Sequence, residues 1–567
     1  MKLTPILALS ILSLPTLASD WSNAGGNPGR NGLSLEVGPD AATLLWSGGR
    51  SSIIAWQPVI EGSRVFLVRQ TSFPPESTGS PVVCQDLDTG AELWASNIPA
   101  NSGDWTTWIA GVSGGHVYAS RSGNGASVAA KLYCLDAATG SVVWASTVNQ
   151  DAGAYDGVVF APGGDPVVAS FHTIWRFDHV SGAPVWSANR VGSVSGNCGA
   201  ALGNGALFVA DAVVGGHAIK KFDLATGAFL YQSPVMAGFT IQNTPMVGPD
   251  GTIYLSRVQN NAGVDFFFAF EDTGSALLQK WSVPAGYSYS SEFCVGPDGS
   301  VYHLAPGNEI HRLDPASGAT LGTSGALAHD TWEPRLAVDA LGRVFLSNGG
   351  FTNGMFFSFN ADLSPRWSLA VPNINIGAPA LGRDGTLVIA GVGTNVKAYR
   401  RHGIGTSAFC AGDGSSSACP CANSGSTGRG CANSAVGEGA RLVASGSASL
   451  ANDTLVLNST GELPSVLSIF LQGTAQISPA SFGDGLRCVG GNLKRLYTKN
   501  ALHGVASAPG AGDPNVSTRS AALNDPLAAG ATRFLQTYYR DPSASFCPAP
   551  TGGTFNVSCG LAVTWLP

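Results

Sequence analysis

The sequence is poor in charge, in long apolar runs and in catalytic signatures, and each shortage excludes something. Charged residues make up 12% of the chain, about half the usual share of ~25%. The formal net charge is −7 and Lys and Arg never gather into a block, so there is no electrostatic footprint for nucleic acid. After the first 18 residues no apolar stretch is long enough for a second membrane span. There is no HExxH, no GxxxxGK phosphate loop and no GxGxxG, and the nine His are dispersed without metal-ligand spacing. GVSGG (111–115) has the spacing of a serine-nucleophile elbow. That elbow needs a strand, a turn and a helix, whereas here the next residues, HVYAS, read as the second arm of a hairpin. His172 reads as a packed or surface His rather than a ligand.

What the chain has instead is glycine, 74 of 567 residues, with 33 Pro and 44% hydrophobic residues. That mixture suits many short strands joined by tight turns, and the length calls for at least two domains. Residues 1–18, MKLTPILALSILSLPTLA, have the Lys, apolar run and small-x-small ending of a secretory signal peptide. The first Cys is Cys84, so no lipid-attachment Cys follows the cleavage site. These features predict a secreted or periplasmic protein, soluble, without a transmembrane span, and monomeric.

Two phrases repeat along residues 19–403. One is a strand, an Asp, a Thr/Ser-Gly turn and an aromatic: CQDLDTGAELW (84–94), YCLDAATGSVVW (133–144), RFDHVSGAPVW (176–186), KFDLATGAFLY (221–231). The other is a turn followed by a short apolar strand, seen eight times from GSRVFLV (62–68) to RDGTLVIA (383–390). A period of roughly forty to fifty residues with four strand-sized segments per period predicts propeller blades. The Asp carboxylate accepts turn N–H groups, the hydroxyl caps the same turn and Gly supplies positive φ. The aromatic that follows is expected to fill the wedge between blades. TLLWSGG (43–49) lacks an Asp strand before it and NVKAYRRHG (395–403) lacks a Trp strand after it. Pairing these orphans predicts an eighth blade split between the two ends of the domain, which closes the ring and leaves no open edge.

The LDxxTGxxxW phrases and the opening DWSNAGGNPGRNGLS (20–34) resemble the quinoprotein-like, PQQ-repeat propeller family over residues 19–403. In dehydrogenases of that family, the resemblance implies, a quinone lies beneath a disulfide of adjacent Cys, Ca²⁺ is held by Glu and Asn, and an Asp acts as base. This chain has no adjacent Cys pair and its repeats are uniformly short, so no cofactor is expected, and pyrroloquinoline quinone with Ca²⁺ is the alternative. The strands expected to be innermost carry Gln57, Trp108, Asp156, Asn197, Asn243, Glu292, Glu333 and Arg335. These are the candidate funnel residues, suited to a sugar, a Ca²⁺ ion or water. No catalytic residue and no metal ligand is assigned.

From about residue 404 the composition changes. Seven of the eleven Cys fall in the last 160 or so residues. Cys410, Cys419, Cys421 and Cys431 crowd residues 404–435, read as a Cys-rich staple, and an exported chain favours disulfides over zinc. Alternating stretches in residues 436–567 read as a β-sandwich. The spacing of 409–434, with GDGLRCVGG (483–491) and YYRDP…FC (538–547), resembles a Cys-rich C-terminal module of secreted environmental-bacterial proteins. The tight Cys419–Cys421 spacing disfavours a bridge between them. The expected pairings are therefore Cys410–Cys419 with Cys421–Cys431, or Cys410–Cys421 with Cys419–Cys431. Cys488–Cys547 is expected as a third bridge, with Cys559 free or intermolecular.

The expectation is an all-β chain, an eight-bladed propeller followed by a disulfide-rich sandwich. It would serve as a non-enzymatic binding or scaffold protein with a protein or carbohydrate partner. The alternatives are a degenerate quinoprotein or polysaccharide-acting enzyme, and an envelope assembly factor.

Overall fold

The computed structural model describes residues 21–565 except 74–78, 100–103, 124–128, 152–156, 191–198, 238–243, 257–264, 287–292, 329–333, 350–352, 372–373, 375–376, 383–384, 401–404, 446–447, 449 and 451–452. The N-terminal part consists of eight sheets, each with a four-stranded antiparallel core, arranged as a propeller. The first blade is Val59–Glu61, Arg64–Val68, Val82–Asp86 and Glu92–Ser96. The first strands of neighbouring blades lie against one another, so they line the axis. The ring closes as the two orphan segments require. Leu44–Ser47 pairs antiparallel with Val396–Tyr399, placing Trp46 opposite Ala398.

The repeated phrase builds both the turn and the joint to the next blade. Asp136 Oδ1 accepts from Thr139 N and Thr139 Oγ1, both at 2.8 Å. Asp86, Asp178, Asp223 and Asp314 do the same with Thr89, Ser181, Thr226 and Ser317. The Gly that follows has φ near +70° and lies flat under the Trp of the preceding blade. A Cβ on Gly140 would stand 2.4 Å from the Trp94 ring, and one on Gly182 2.5 Å from Trp144. Each indole also donates Nε1–H to a carbonyl of that turn. Trp46 bonds Leu87 O, Trp94 Ala137 O, Trp144 His179 O, Trp186 Leu224 O and Trp281 Pro315 O, at 2.9–3.0 Å. The Trp is thus stacked on one blade and hydrogen-bonded to it while its own strand belongs to another. In all eight blades a β-bulge interrupts the pairing of the last two strands beside this position. Such a bulge re-aims the side chain and twists the exposed outer edge away from partners. In the fourth blade Tyr replaces Trp and the joint changes chemistry. Tyr231 OH donates to Asp272 Oδ1 at 2.6 Å, and Lys221 Nζ bridges Tyr231 OH and Asp272 Oδ2.

Among the described residues the C-terminal module has three sheets, the smallest a hairpin of Ala475–Phe482 and Gly485–Gly490. Gly405–Phe409, Gly560–Thr564, Thr532–Arg540, Leu467–Gly473 and Lys494–Asn500 form one sheet, with Phe555–Val557 alongside. Arg441–Ser445, Val456–Thr460 and Val505–Ala508 form another. Leu442, Leu457, Phe470, Leu496, Leu535 and Trp565 belong to one buried core cluster. The short helix Val516–Ala522 is capped by Asn515, which accepts from Thr518 N. Residues 405–409 are therefore an integral strand of the module.

The disulfides differ from the expected pairings in two of three cases. All six expected Cys are bridged, as Cys419–Cys431, Cys410–Cys488 and Cys421–Cys547. Cys419–Cys431 was one of the pairings left open. Cys410–Cys419, Cys410–Cys421, Cys421–Cys431 and Cys488–Cys547 do not form. The cluster closes on itself only through Cys419–Cys431, while Cys410 and Cys421 reach partners far along the chain. The loops of 78 and 126 residues remove more unfolded-state entropy than the ten-residue loops of a self-closed cluster, roughly 4–5 against 2–3 kcal/mol per bridge in the chain-entropy model. Cys559 is unbridged and buried, its Sγ accepting from Leu442 N, a position that does not suit an intermolecular bond. Among the described residues no helix is long and apolar enough to cross a membrane.

Candidate functional site

The axis of the propeller is occupied at one end by the chain itself. Residues 21–38 run round the inside of the ring in blade order, bonding residues in or next to the innermost strands of the first seven blades. Trp21 pairs with Ile60. Val112 N donates to Ser22 O, and Asn23 Nδ2 to Val158 O. Leu202 N then donates to Pro28 O, Val247 N to Gly29 O, Val295 N to Asn31 O and Val338 N to Gly32 O. Arg30, 2% exposed, sits within this coil. Its Nε donates to Ala200 O, one terminal nitrogen to Ala24 O and the other to Gly157 O. Gly32 is obligatory by space, since a Cβ there would lie 2.7 Å from Cys294 Cβ. The segment leaves the ring past Gly38, whose N–H and C=O are held by Asp339 and Arg343. Main-chain groups at seven innermost strands, which burial would otherwise leave costly, are satisfied by this plug.

Of the eight candidate funnel residues, Asp156, Asn197, Asn243, Glu292 and Glu333 lie outside the described residues. The other three, Gln57, Trp108 and Arg335, are described. Gln57 accepts from Gly25 N at 3.3 Å and donates to Pro379 O at 2.5 Å, tying the plug to the eighth blade. Trp108 does not face the channel. It is 1% exposed and packs with Tyr118, Trp144, Phe160 and Phe177 between the second and third blades. Side chains alternate along a strand, and Trp108 falls on the core side. Arg335 is buried on the innermost strand of the seventh blade, opposite Ser347.

A cavity that sequence reasoning missed lies where the plugged face meets the C-terminal module. Its volume is about 570 Å³, and both domains line it. The floor is the plug, with Asn27, Asn31, Ser34 and Glu36. One wall is the turns of the first two blades, with Glu61, Gly62, Gly114 and Gly115. The other is the module, with Ser426, Thr427, Arg429 and Glu438. The domains are pinned together beside it by a buried charge cluster. Glu36 accepts from Arg429 at 3.2 Å and from Arg441, and Arg429 Nε lies 3.5 Å from Glu438 Oε2. Thr460 Oγ1 donates to Leu35 O. Burial raises the carboxyl of Glu438 above the usual range, while Arg429 pulls it back. Nothing in the sequence links Glu36 to Arg429 across 393 positions, so only the fold could reveal this seam.

One further cluster brings Asp165, Asp178 and His179 within metal-ligand reach of one another. Its valences are already used. Asp165 accepts from Arg176 and from His179 N and Nδ1, and Asp178 caps the Ser181 turn. A guanidinium in the cluster opposes a cation, so the arrangement serves the third blade's turn.

A family model described as outer membrane protein assembly factor BamB matches residues 78–324. No curated protein matches the chain. Among solved structures, the chain is similar to BamB from Moraxella catarrhalis, at 16% identity and a TM-score of 0.42, covering 61% of this chain and 94% of that one. It is also similar to the quinohemoprotein alcohol dehydrogenase from Comamonas testosteroni, at 13% identity and 0.48, covering 67% and 80%. The computationally designed Ika8 protein is similar at 12% identity and 0.44, covering 63% and 99%. The chain is an eight-bladed β-propeller, similar over residues 78–324 to the BamB-type PQQ-repeat family, and carries a disulfide-bonded C-terminal module.

Proposed function

We propose that the protein is an exported, non-enzymatic scaffold that binds a protein or carbohydrate partner. The observation that carries this reading is the plugged axis. Gln57 and Arg30 are spent on main-chain groups of the plug, the blades and the axis rather than left to converge on a reacting atom. Three disulfides support export, since such bonds persist in oxidising compartments. Fold alone does not decide the matter, because propellers of one architecture host unrelated functions. The test is reconstitution with pyrroloquinoline quinone and Ca²⁺ followed by a dye-reduction assay with alcohols and aldoses. No turnover is expected, and turnover with any of them overturns the reading.

The description of the matched family model favours a second reading, an envelope assembly factor. Co-sedimentation of the purified protein with a purified outer-membrane β-barrel protein in detergent separates the two. Stoichiometric binding supports the assembly role, and its absence leaves the general scaffold.

A further inference from the structure

One buried side chain between the fifth and sixth blades breaks the pattern of the repeat. His303 lies in Val301–Ala305, the second strand of the sixth blade, and is 2% exposed. At the same place in their second strands the other blades carry Leu67, Ala119, Val168, Val209, Leu255, Leu346 and Ile389, all aliphatic and all buried. Packing alone therefore calls for an aliphatic residue here, and the chain uses an ionisable one.

The imidazole stands at the contact between the two blades. Val301, two residues earlier on the same strand face, belongs to the buried cluster that joins them. The His303 ring is stacked on Phe267, from the third strand of the fifth blade, with centroids 5.0 Å apart and planes 12° apart. Phe267 in turn lies 4.6 Å from the Phe293 ring of the sixth blade's first strand. Among the described residues neither nitrogen of His303 finds a hydrogen-bond partner. A neutral imidazole there forgoes its bonds, and a charged one would be an unpaired cation among hydrocarbon, at a far higher cost. The face of Phe267 offsets only a small part of that cost. The titratable neighbours do not supply a counter-charge to the ring. His311, opposite on the third strand, meets it edge-on at 5.9 Å and is itself bonded to Glu309 Oε1 at 3.1 Å. From the fifth blade, Tyr254 is buried and stays neutral because burial pushes its phenol up. Asp265 is buried two residues from Phe267 on the same strand. Burial, with His311 beside it, holds the His303 imidazole down at about 3. A depressed folded value gives stability that is present above the unfolded value, near ~6.5, and is lost as pH falls toward the folded one.

We propose that the joint between the fifth and sixth blades is an acid-sensitive switch, in which protonation of His303 loosens that joint while the seven joints with an aliphatic residue at this place stay closed. This inference goes beyond the scaffold reading and does not depend on it: a protein that turned over a quinone substrate would still carry the joint. Each pH unit below ~6.5 raises the opened fraction up to about tenfold, so between pH 7 and pH 5 it rises roughly 25-fold.

The test is hydrogen exchange of the full-length protein read by mass spectrometry at pH 7, 6 and 5, corrected for the pH dependence of the chemical exchange step. Peptides covering Asp265–Asp272, Phe293–Val295 and Val301–Ala305 are expected to show that roughly 25-fold rise, and peptides of the second and third blades none. His303→Leu installs the residue that the first, fifth and seventh blades use at this place, so it is expected to fold and to abolish the rise. His311→Gln, which alters the more exposed ring, is expected to keep most of it. No rise, a rise spread evenly over all blades, a rise that survives in His303→Leu, or one that vanishes in His311→Gln would each overturn the proposal.

Discussion

The joint between blades makes a quantitative claim that two glycines can test against each other. Gly182 has φ +69° and Gly205 has φ +70°, so replacing either with Ala imposes the same left-handed backbone, at about 1–2 kcal/mol. Both replacements also restrict the unfolded chain equally. The surroundings differ. A Cβ at Gly205 meets nothing within 4 Å, whereas one at Gly182 would stand 2.5, 2.8 and 3.0 Å from three carbons of Trp144. Real Cβ atoms do not approach so closely, so the indole must move. Trp144 is 8% exposed and bonds His179 O through Nε1 at 2.9 Å. Shifting the ring therefore costs packing, about 1–3 kcal/mol, and strains or breaks that bond, about 1 kcal/mol more. Gly182→Ala is expected to exceed Gly205→Ala by about 2–4 kcal/mol on these terms. In scanning calorimetry this separates the propeller transitions by several degrees, since a domain of this size shifts roughly 1–2 °C per kcal/mol. Equal melting of the two variants would refute the stacked joint as a source of stability. Trp144→Phe in the Gly182→Ala background is expected to recover part of the loss, because the smaller ring clears the new methyl.

Three other perturbations follow from the same structure. Arg30→Ala removes three hydrogen bonds and strands the carbonyls of Ala24, Gly157 and Ala200 in the plug, so a loss of at least about 3 kcal/mol is expected, read as a lower propeller melting temperature; an unchanged melt would mean the plug is not part of the cooperative unit. The turn carboxyls of Asp136, Asp178, Asp223, Asp314 and Asp362 are held below the usual Asp range, chiefly by the Thr or Ser hydroxyl each accepts from. A depressed folded value gives stability that is present above the unfolded value, near ~3.9, and is lost as pH falls through the folded values, so melting between pH 5 and pH 3 is expected to drop less steeply in Asp136→Asn than in the parent. In the module, burial pushes the Glu462 carboxyl up to about 7, with Ser468 Oγ donating to Oε2 and Oε1 lacking a partner. A raised folded value gives stability that is present below the unfolded value and lost as pH rises through the folded one, so Glu462→Gln is expected to stabilise the module by about 3 kcal/mol at pH 8.5 and to do little at pH 4; the opposite ordering in a pair of melts at those pH values would sink the assignment.

What the sequence disclosed was what it repeated. The Asp, hydroxyl, Gly and Trp of LDAATGSVVW act within a dozen residues of one another, and each copy restates the geometry, so the turn, the blade count and even the split eighth blade could be read without coordinates. The plug was hidden for the converse reason. Arg30 and Asn31 bond main-chain carbonyls of distant blades, and a carbonyl is the same at every residue, so no partner in the sequence advertises the contact. The Cys cluster misled through proximity. Four Cys within 22 residues invite short loops, but Cys410 and Cys421 bridge to Cys488 and Cys547, 78 and 126 positions away. Trp108 failed on alternation alone: one residue of register separates the channel side of a strand from the wedge between blades. The same physics explains why the seam cavity had no sequence signal. Its walls come from distant parts of the chain and meet where Glu36, carried on the plug, offers a buried carboxylate to Arg429 and Arg441 of the module. A change at Glu36 should therefore act on the cavity, on the docking of the domains and on the plug together, and it is expected to lower the melting temperatures of both domains.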